Sequence, residues 1–337
     1  MRRRLTSWLV VVVGIGLITL GFARNLFSVG PAFEEMIDDF RPALNDEAIG
    51  ALRADLQGLD AVAVEFGTAV APAMASQLGM TPAEFDAYVA TEFPAVAGGM
   101  AIVPHAVTGF SGLVDVLDQQ QANFRSADEI PTESLPATTV PWGILFVGAV
   151  FVALGAAMLL TSDNRAPAAT AVFGLIVVVA ALIFGLPGKS SAADDLNAAL
   201  ELVYTVETVD GAAATLTVVT DMGEQLQGEM LPALAARLGM DGPGLEAFLV
   251  ENFPATASAL TGMPGMIERF DGLVATFEAN LDNYETLRPV AFVPIIWALI
   301  LGSAAAAAAG AAALRRREDD AVASLERPRD RSELVSV

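Results

Sequence analysis

Leu78-Gly79-Met80, Phe93-Pro94-Ala95 and Phe110-Ser111-Gly112-Leu113-Val114 follow one another along the chain, and the series returns as Leu238-Gly239-Met240, Phe253-Pro254-Ala255 and Phe270-Asp271-Gly272-Leu273-Val274. Every pair is offset by 160 positions with no gap, and Pro72/Pro232, Pro104/Pro264 and Asn123/Asn283 keep the same register. So many matches in one register mean an internal duplication. The residue types describe a helical corner. Gly79 and Gly239 stand where a helix stops, because glycine enters the left-handed region without a Cβ penalty. Thr81-Pro82-Ala83-Glu84 is a capping box with proline at the first helical position. Asp241 takes the cap role in the second copy, where Gly242-Pro243-Gly244 makes a weaker start. Phe93-Pro94 and Phe253-Pro254 then turn the chain into a further helix. Leu78, Met80, Phe93, Phe110, Gly112 and Leu113, with Leu238, Met240, Phe253, Phe270, Gly272 and Leu273, are the expected packing residues. The sharper reading of the corner is an apolar groove beside the short helix, open to a lipid tail or a partner helix.

Working outward, Asn45-Asp46 can cap a helix carrying Ile49, Leu52, Leu56, Leu59, Val62 and Val64. The long helix after Pro94 carries Phe110, Leu113, Val114, Leu117 and Phe124, and its counterpart carries Phe270, Leu273, Val274, Phe277 and Tyr284. No segment alternates as a strand would. The expected fold is therefore all-α, each copy contributing its own outer bundle of antiparallel helices.

Four apolar runs frame these bundles: residues 5–24, 140–161, 167–187 and 290–314. Twenty helical residues span about 30 Å, the thickness of a bilayer's hydrocarbon core. Residues 5–23 after Arg2-Arg3-Arg4 also resemble a cleaved signal peptide. The duplication favours a span, because the second half has an apolar run at the corresponding place. Orientation follows from positive charge. Residues 1–4, the loop 162–166 with Arg165, and the tail 315–337 with Arg315, Arg316, Arg317, Arg327, Arg329 and Arg331 are expected in the cytoplasm. Residues 30–138 hold 17 acidic and 3 basic residues (3 − 17 = −14), and residues 188–290 hold 16 and 4 (4 − 16 = −12). Residues 25–139 and 188–289 are thus expected outside as acidic helical domains. The expected protein is a multi-pass plasma-membrane protein built of two tandem two-span units, related by a pseudo-two-fold axis along the membrane normal. The tail, rich in charge, reads as structureless.

Composition removes most chemistries. There is no cysteine, and His105 is the single histidine of 337 residues. Thiolate or Ser-His catalysis and histidine-ligated zinc are effectively excluded. His105 answers to Gly265 in the second copy, so no function shared by both halves rests on it. A net charge of −22 argues against nucleic acid. The span interiors lack Asp, Glu, Lys and Arg, which disfavours an ion-coupled pump, and no nucleotide motif occurs. Glu34-Glu35 with Asp38-Asp39, and Asp194-Asp195, could attract divalent cations, but a solvated acidic face is the plainer account. Gly302, Ala306 and Gly310, spaced by four, suit close helix packing. The sequence therefore points to a non-enzymatic bacterial cell-envelope protein without cofactor, a scaffold or accessory subunit. Its partners would be the lipid bilayer and an envelope protein or second copy. The alternative is lipid or hydrophobic-solute transfer through a cavity between the two outer domains.

Overall fold

A computed structural model describes residues 2–132, 135–161, 163–201 and 203–325. Apart from one isolated bridge, Thr132 to Leu135, the described residues are helical or in turns. The helices are α1 Arg2–Ala23, α2 Leu26–Phe40, α3 Asp46–Glu65, α4 Ala71–Gln77, α5 Pro82–Glu92, α6 Pro94–Asp128, α7 Thr139–Leu160, α8 Arg165–Ile183, α9 Leu186–Leu200, α10 Val206–Gln225, α11 Leu231–Leu238, α12 Gly242–Asn252, α13 Pro254–Ala279, α14 Leu281–Leu287 and α15 Phe292–Leu325. Five-residue π-helical segments, Phe66–Val70 and Leu226–Met230, join α3 to α4 and α10 to α11. The starts of α2 and α9, α3 and α10, the two π segments, and α5 and α12 all differ by 160 positions.

The chain forms two compact units, divided within α2, α6 and α9 and again after Glu285. The first comprises residues 1–35, 123–195 and 286–337. In it α1 packs on α7, α8 on α15, α1 on α15 and α7 on α8. Small residues bring these backbones together. A methyl group on Gly14 would stand 2.5 Å from the Gly148 carbonyl oxygen, and one on Gly310 would stand 2.7 Å from the Pro167 carbonyl oxygen. Gly302 faces Val13, and Ala306 is fully buried, so the small-residue stripe of α15 is a packing surface. Leu5, Trp8, Val12, Ile15, Trp142, Phe146, Val172, Ile176 and Leu301 point outward instead. Helices with buried small residues and exposed large apolar ones suit a lipid surround, where helix packing rather than hydrophobicity drives association. Among the described residues six helical stretches are long and apolar enough to cross a membrane: four in this unit, with Asp46–Gln77 and Pro94–Asp128 besides.

The second unit comprises residues 36–122 and 196–285. Here the two halves build one unit together. One apolar core takes Val70, Met74, Phe85, Phe93 and Val96 from the first half and Met230, Leu234, Leu245, Leu249 and Phe253 from the second. α3 packs on α13, and Phe110 meets Phe270 with ring centroids 4.9 Å apart. Of the helix anticipated from Asn45, Ile49, Leu52, Leu56 and Leu59 are buried, but Val64 is 58 % exposed. Val64 stands five residues beyond Leu59, about 140° around an α-helix from that stripe, so ordinary helical spacing turns it outward. α15 also runs further than the sequence suggested, through Arg315-Arg316-Arg317 to Leu325, so the tail is helical over that stretch. Residues 326–337, with Arg327, Arg329 and Arg331, lie outside the described residues.

Candidate functional site

The repeated corner is built as its residues dictate. Gly79 and Gly239 have φ of 69° and 68°, and Met80 and Met240 donate their N–H to the carbonyls of Ala75 and Ala235 at 2.8 and 2.9 Å. This six-to-one bond past a left-handed residue is the Schellman closure of a helix. Thr81 and Glu84 form the anticipated capping box, and hydrogen bonds from the Thr81 N–H and hydroxyl hold the Glu84 carboxyl below its ordinary value. Asp241 caps Gly244 in the same place despite its glycines.

Phe93, Phe253, Phe110, Phe270 and Leu273 are buried, and Leu113 is half-buried. Leu78, Met80, Leu238 and Met240 pack from the rim onto the shared core. Pro94 and Pro254 are exposed and act as first helical residues. Gly112 and Gly272 correct the expectation of packing residues. Both are exposed, and no atom lies within 4 Å of where a Cβ would be.

Sequence reasoning missed the contacts that tie the halves of the second unit together. The Thr256 N–H and hydroxyl both donate to Glu65 Oε2, at 2.6 and 2.7 Å, at the start of α13. At the start of α6, the Ala95 and Val96 N–H groups donate to Gln225 Oε1 at 2.8 and 3.2 Å. Residues 65 and 225 are themselves 160 apart, so each half supplies the cap for the other half's long helix. Their one legible signal is that two acceptor side chains sit at matched positions. Arg269 adds a fork-like pair to Asp55, at 2.7 and 2.6 Å, between α13 and α3.

Two carboxylates of the acidic clusters, at equivalent positions, sit at helix ends. Asp194 accepts the Phe292 and Val293 N–H groups at 2.7 and 3.0 Å, and Glu34, its equivalent, accepts the Thr138 N–H at 3.4 Å. Negative charge belongs at a helix N-terminus, where backbone N–H groups lack partners. Asp39 receives Asn280 Nδ2 at 2.9 Å, and Asp38 pairs with Arg41. Among the described residues no three His, Asp or Glu side chains stand together as a metal site would need. His105 is exposed on α6. Tyr204 is buried among Phe40, Phe277 and Tyr284 with no partner for its hydroxyl. Burial, then the Asp39 charge, push its pKa far up, so it is a neutral core residue at any ordinary pH.

Two spaces in this unit matter. Between the halves, lined by both π segments and by Met74, Met100, Met222 and Met263, the free volume is about 40 Å³. Beside the second corner a half-open groove of about 590 Å³ lies between α11, α12 and the start of α13. The sharper reading of the corner asked for such a groove. The lipid-transfer reading asked instead for a cavity between the halves, where there is room for only a few waters. Compared with protein families, with curated proteins and with solved structures, the chain matches none.

Proposed function

We propose that this chain is a non-enzymatic, four-span protein of a bacterial plasma membrane whose two acidic segments form one rigid platform for another envelope component. The observation that carries this reading is the joint construction of residues 36–122 and 196–285: one core, reciprocal caps at Glu65 and Gln225, and almost no free space between the halves. A platform needs stiffness, and such a core supplies it.

Four spans are favoured over six on three grounds. Large exposed apolar side chains, the mark of lipid contact, belong to the first unit, with Val64, Ile102, Val206 and Val250 as the four exceptions among the described residues. Asp46–Gln77 and Pro94–Asp128 carry Arg53, Asp55, Asp115 and Asp118, which form ion pairs within the second unit. Their counterparts in the second half are not among the six. The matched registers support a tandem duplication, and the reciprocal caps suit its pseudo-two-fold relation. Both termini and the loop near Arg165 then lie in the cytoplasm, as arginine placement favours.

Purification in mild detergent, with the co-purifying proteins and lipids identified, tests the reading. A protein retained in stoichiometric amount is expected. A stoichiometric lipid without a protein would favour the transfer reading, and neither would remove the platform.

A further inference from the structure

We propose that the groove bounded by α11, α12 and the start of α13 receives an amphipathic α-helix of the partner, one that carries basic residues beside its apolar stripe. This rests on the platform reading and names the chemistry of its partner. The groove's volume, about 590 Å³, falls in the range of real ligand sites. Its floor is apolar, with Ala235, Leu245 and Leu249 buried, while Val250 stands 58 % exposed on the wall. Ala236 and Ala257 keep it open. A trough between helices, with an apolar floor, suits the stacked i, i+3, i+4 side chains of another helix.

Charge selects the occupant. Residues 226–262 hold Glu229, Asp241, Glu246 and Glu251 against Arg237 alone (1 − 4 = −3), and Arg237 lies over the Tyr88 ring at 4.3 Å. Glu246 lines the groove itself. A net-negative segment with Glu246 in the groove lining attracts a cationic partner and repels an anionic one. A bare acyl chain offers Glu246 no counter-charge, and an anionic headgroup would meet repulsion.

The native chain has no cysteine, so single reporters are straightforward. Full-length protein in phosphatidylcholine nanodiscs, labelled with an environment-sensitive dye at Val250→Cys, is titrated with an 18-residue Leu/Lys amphipathic peptide. Val206→Cys, equally exposed at 58 %, is the control. A saturable shift is expected at position 250 and none at 206. Glu246→Lys and Ala257→Phe should each weaken binding tenfold or more while leaving the thermal midpoint nearly unchanged, and Ala236→Leu replaces Ala257→Phe if that variant unfolds. Equal binding by a Leu/Glu peptide, or binding unaffected by filling the groove, would overturn the proposal. So would a short-chain phosphatidylcholine that displaces the peptide and gives the same shift. In affinity purification, a partner held equally by wild type and Ala257→Phe sinks the groove and spares the platform. No partner with either sinks both.

Discussion

Replacing Glu65 by alanine should weaken the protein more than any other surface-accessible carboxylate deletion in the second unit. The carboxylate accepts two short hydrogen bonds from Thr256, a residue only 6 % exposed. Hydrogen bonds to charged groups contribute about 1.5–3 kcal/mol each, and an orphaned buried donor costs about 1–3 kcal/mol. Both bonds end on one oxygen, so the sum is discounted to about 3 kcal/mol. The unit holds 87 + 90 = 177 residues, for which each kcal/mol shifts the midpoint by about 2–4 °C. Glu65→Ala should therefore lower the thermal midpoint by about 6–12 °C. Glu65→Gln should cost only about 1 kcal/mol, the value of a charge at a helix N-terminus, because glutamine already does this work at position 225. Gln225→Ala should fall between, at about 2 kcal/mol, losing two neutral bonds. Thermal unfolding in detergent, followed by circular dichroism, gives the ranking. If Glu65→Ala melts within about 2 °C of wild type, or Glu65→Gln is as damaged as Glu65→Ala, the reciprocal caps do not hold the halves together.

Three further outcomes are expected. Gly14→Leu and Gly310→Leu should each destabilise the first unit by about 3 kcal/mol or more, because a Cβ there meets backbone rather than a side chain that can move; a thermal melt reads this. Asp194→Ala should cost about 1–2 kcal/mol through loss of the α15 cap, whereas the exposed Asp195→Ala should be near neutral. For Glu84, whose folded pKa is lowered, the stabilisation is present above the ordinary value of 4.5 and is lost as pH falls through the folded value. The melting difference between wild type and Glu84→Ala should accordingly be largest near neutral pH and vanish in strong acid; a difference that grew with acid would contradict the capping geometry.

What could be read from the sequence was local. The stop at Gly79, the box at Thr81 and Glu84 and the cap at Asn45 depend on residues within one helical turn, and each was legible for that reason. α2 was hidden because Glu34-Glu35 and Asp38-Asp39 drew the eye to charge. Yet Leu26, Val29, Phe33, Met36, Ile37 and Phe40 share one buried helical face. The π segments left no spacing signal, since an α-helical stripe through Leu59 already leaves Val64 off the buried face. The pairing of Glu65 with Thr256 and of Gln225 with Ala95 joins residues far apart in sequence, and no spacing rule reveals it. Gly112 and Gly272 show the reverse error. They recur in register, but recurrence marked descent and not packing. The groove was anticipated in kind, yet its presence beside Met240 depends on how Ala235, Ala236 and Ala257 meet in three dimensions.

The central claim is that residues 25–139 and 188–289 both lie outside, with four spans between and around them. An impermeant maleimide applied to intact cells tests it at one position, Asp86→Cys on exposed α5. If Asp46–Gln77 and Pro94–Asp128 crossed the membrane as well, α5 would face the cytoplasm. Four spans place it outside. Glu251→Cys serves as the outer control and Asn164→Cys as the inner one, both at exposed positions. Labelling of Asp86→Cys together with Glu251→Cys, and protection of Asn164→Cys until the cells are opened, is the predicted result; protection of Asp86→Cys alongside Asn164→Cys would contradict it.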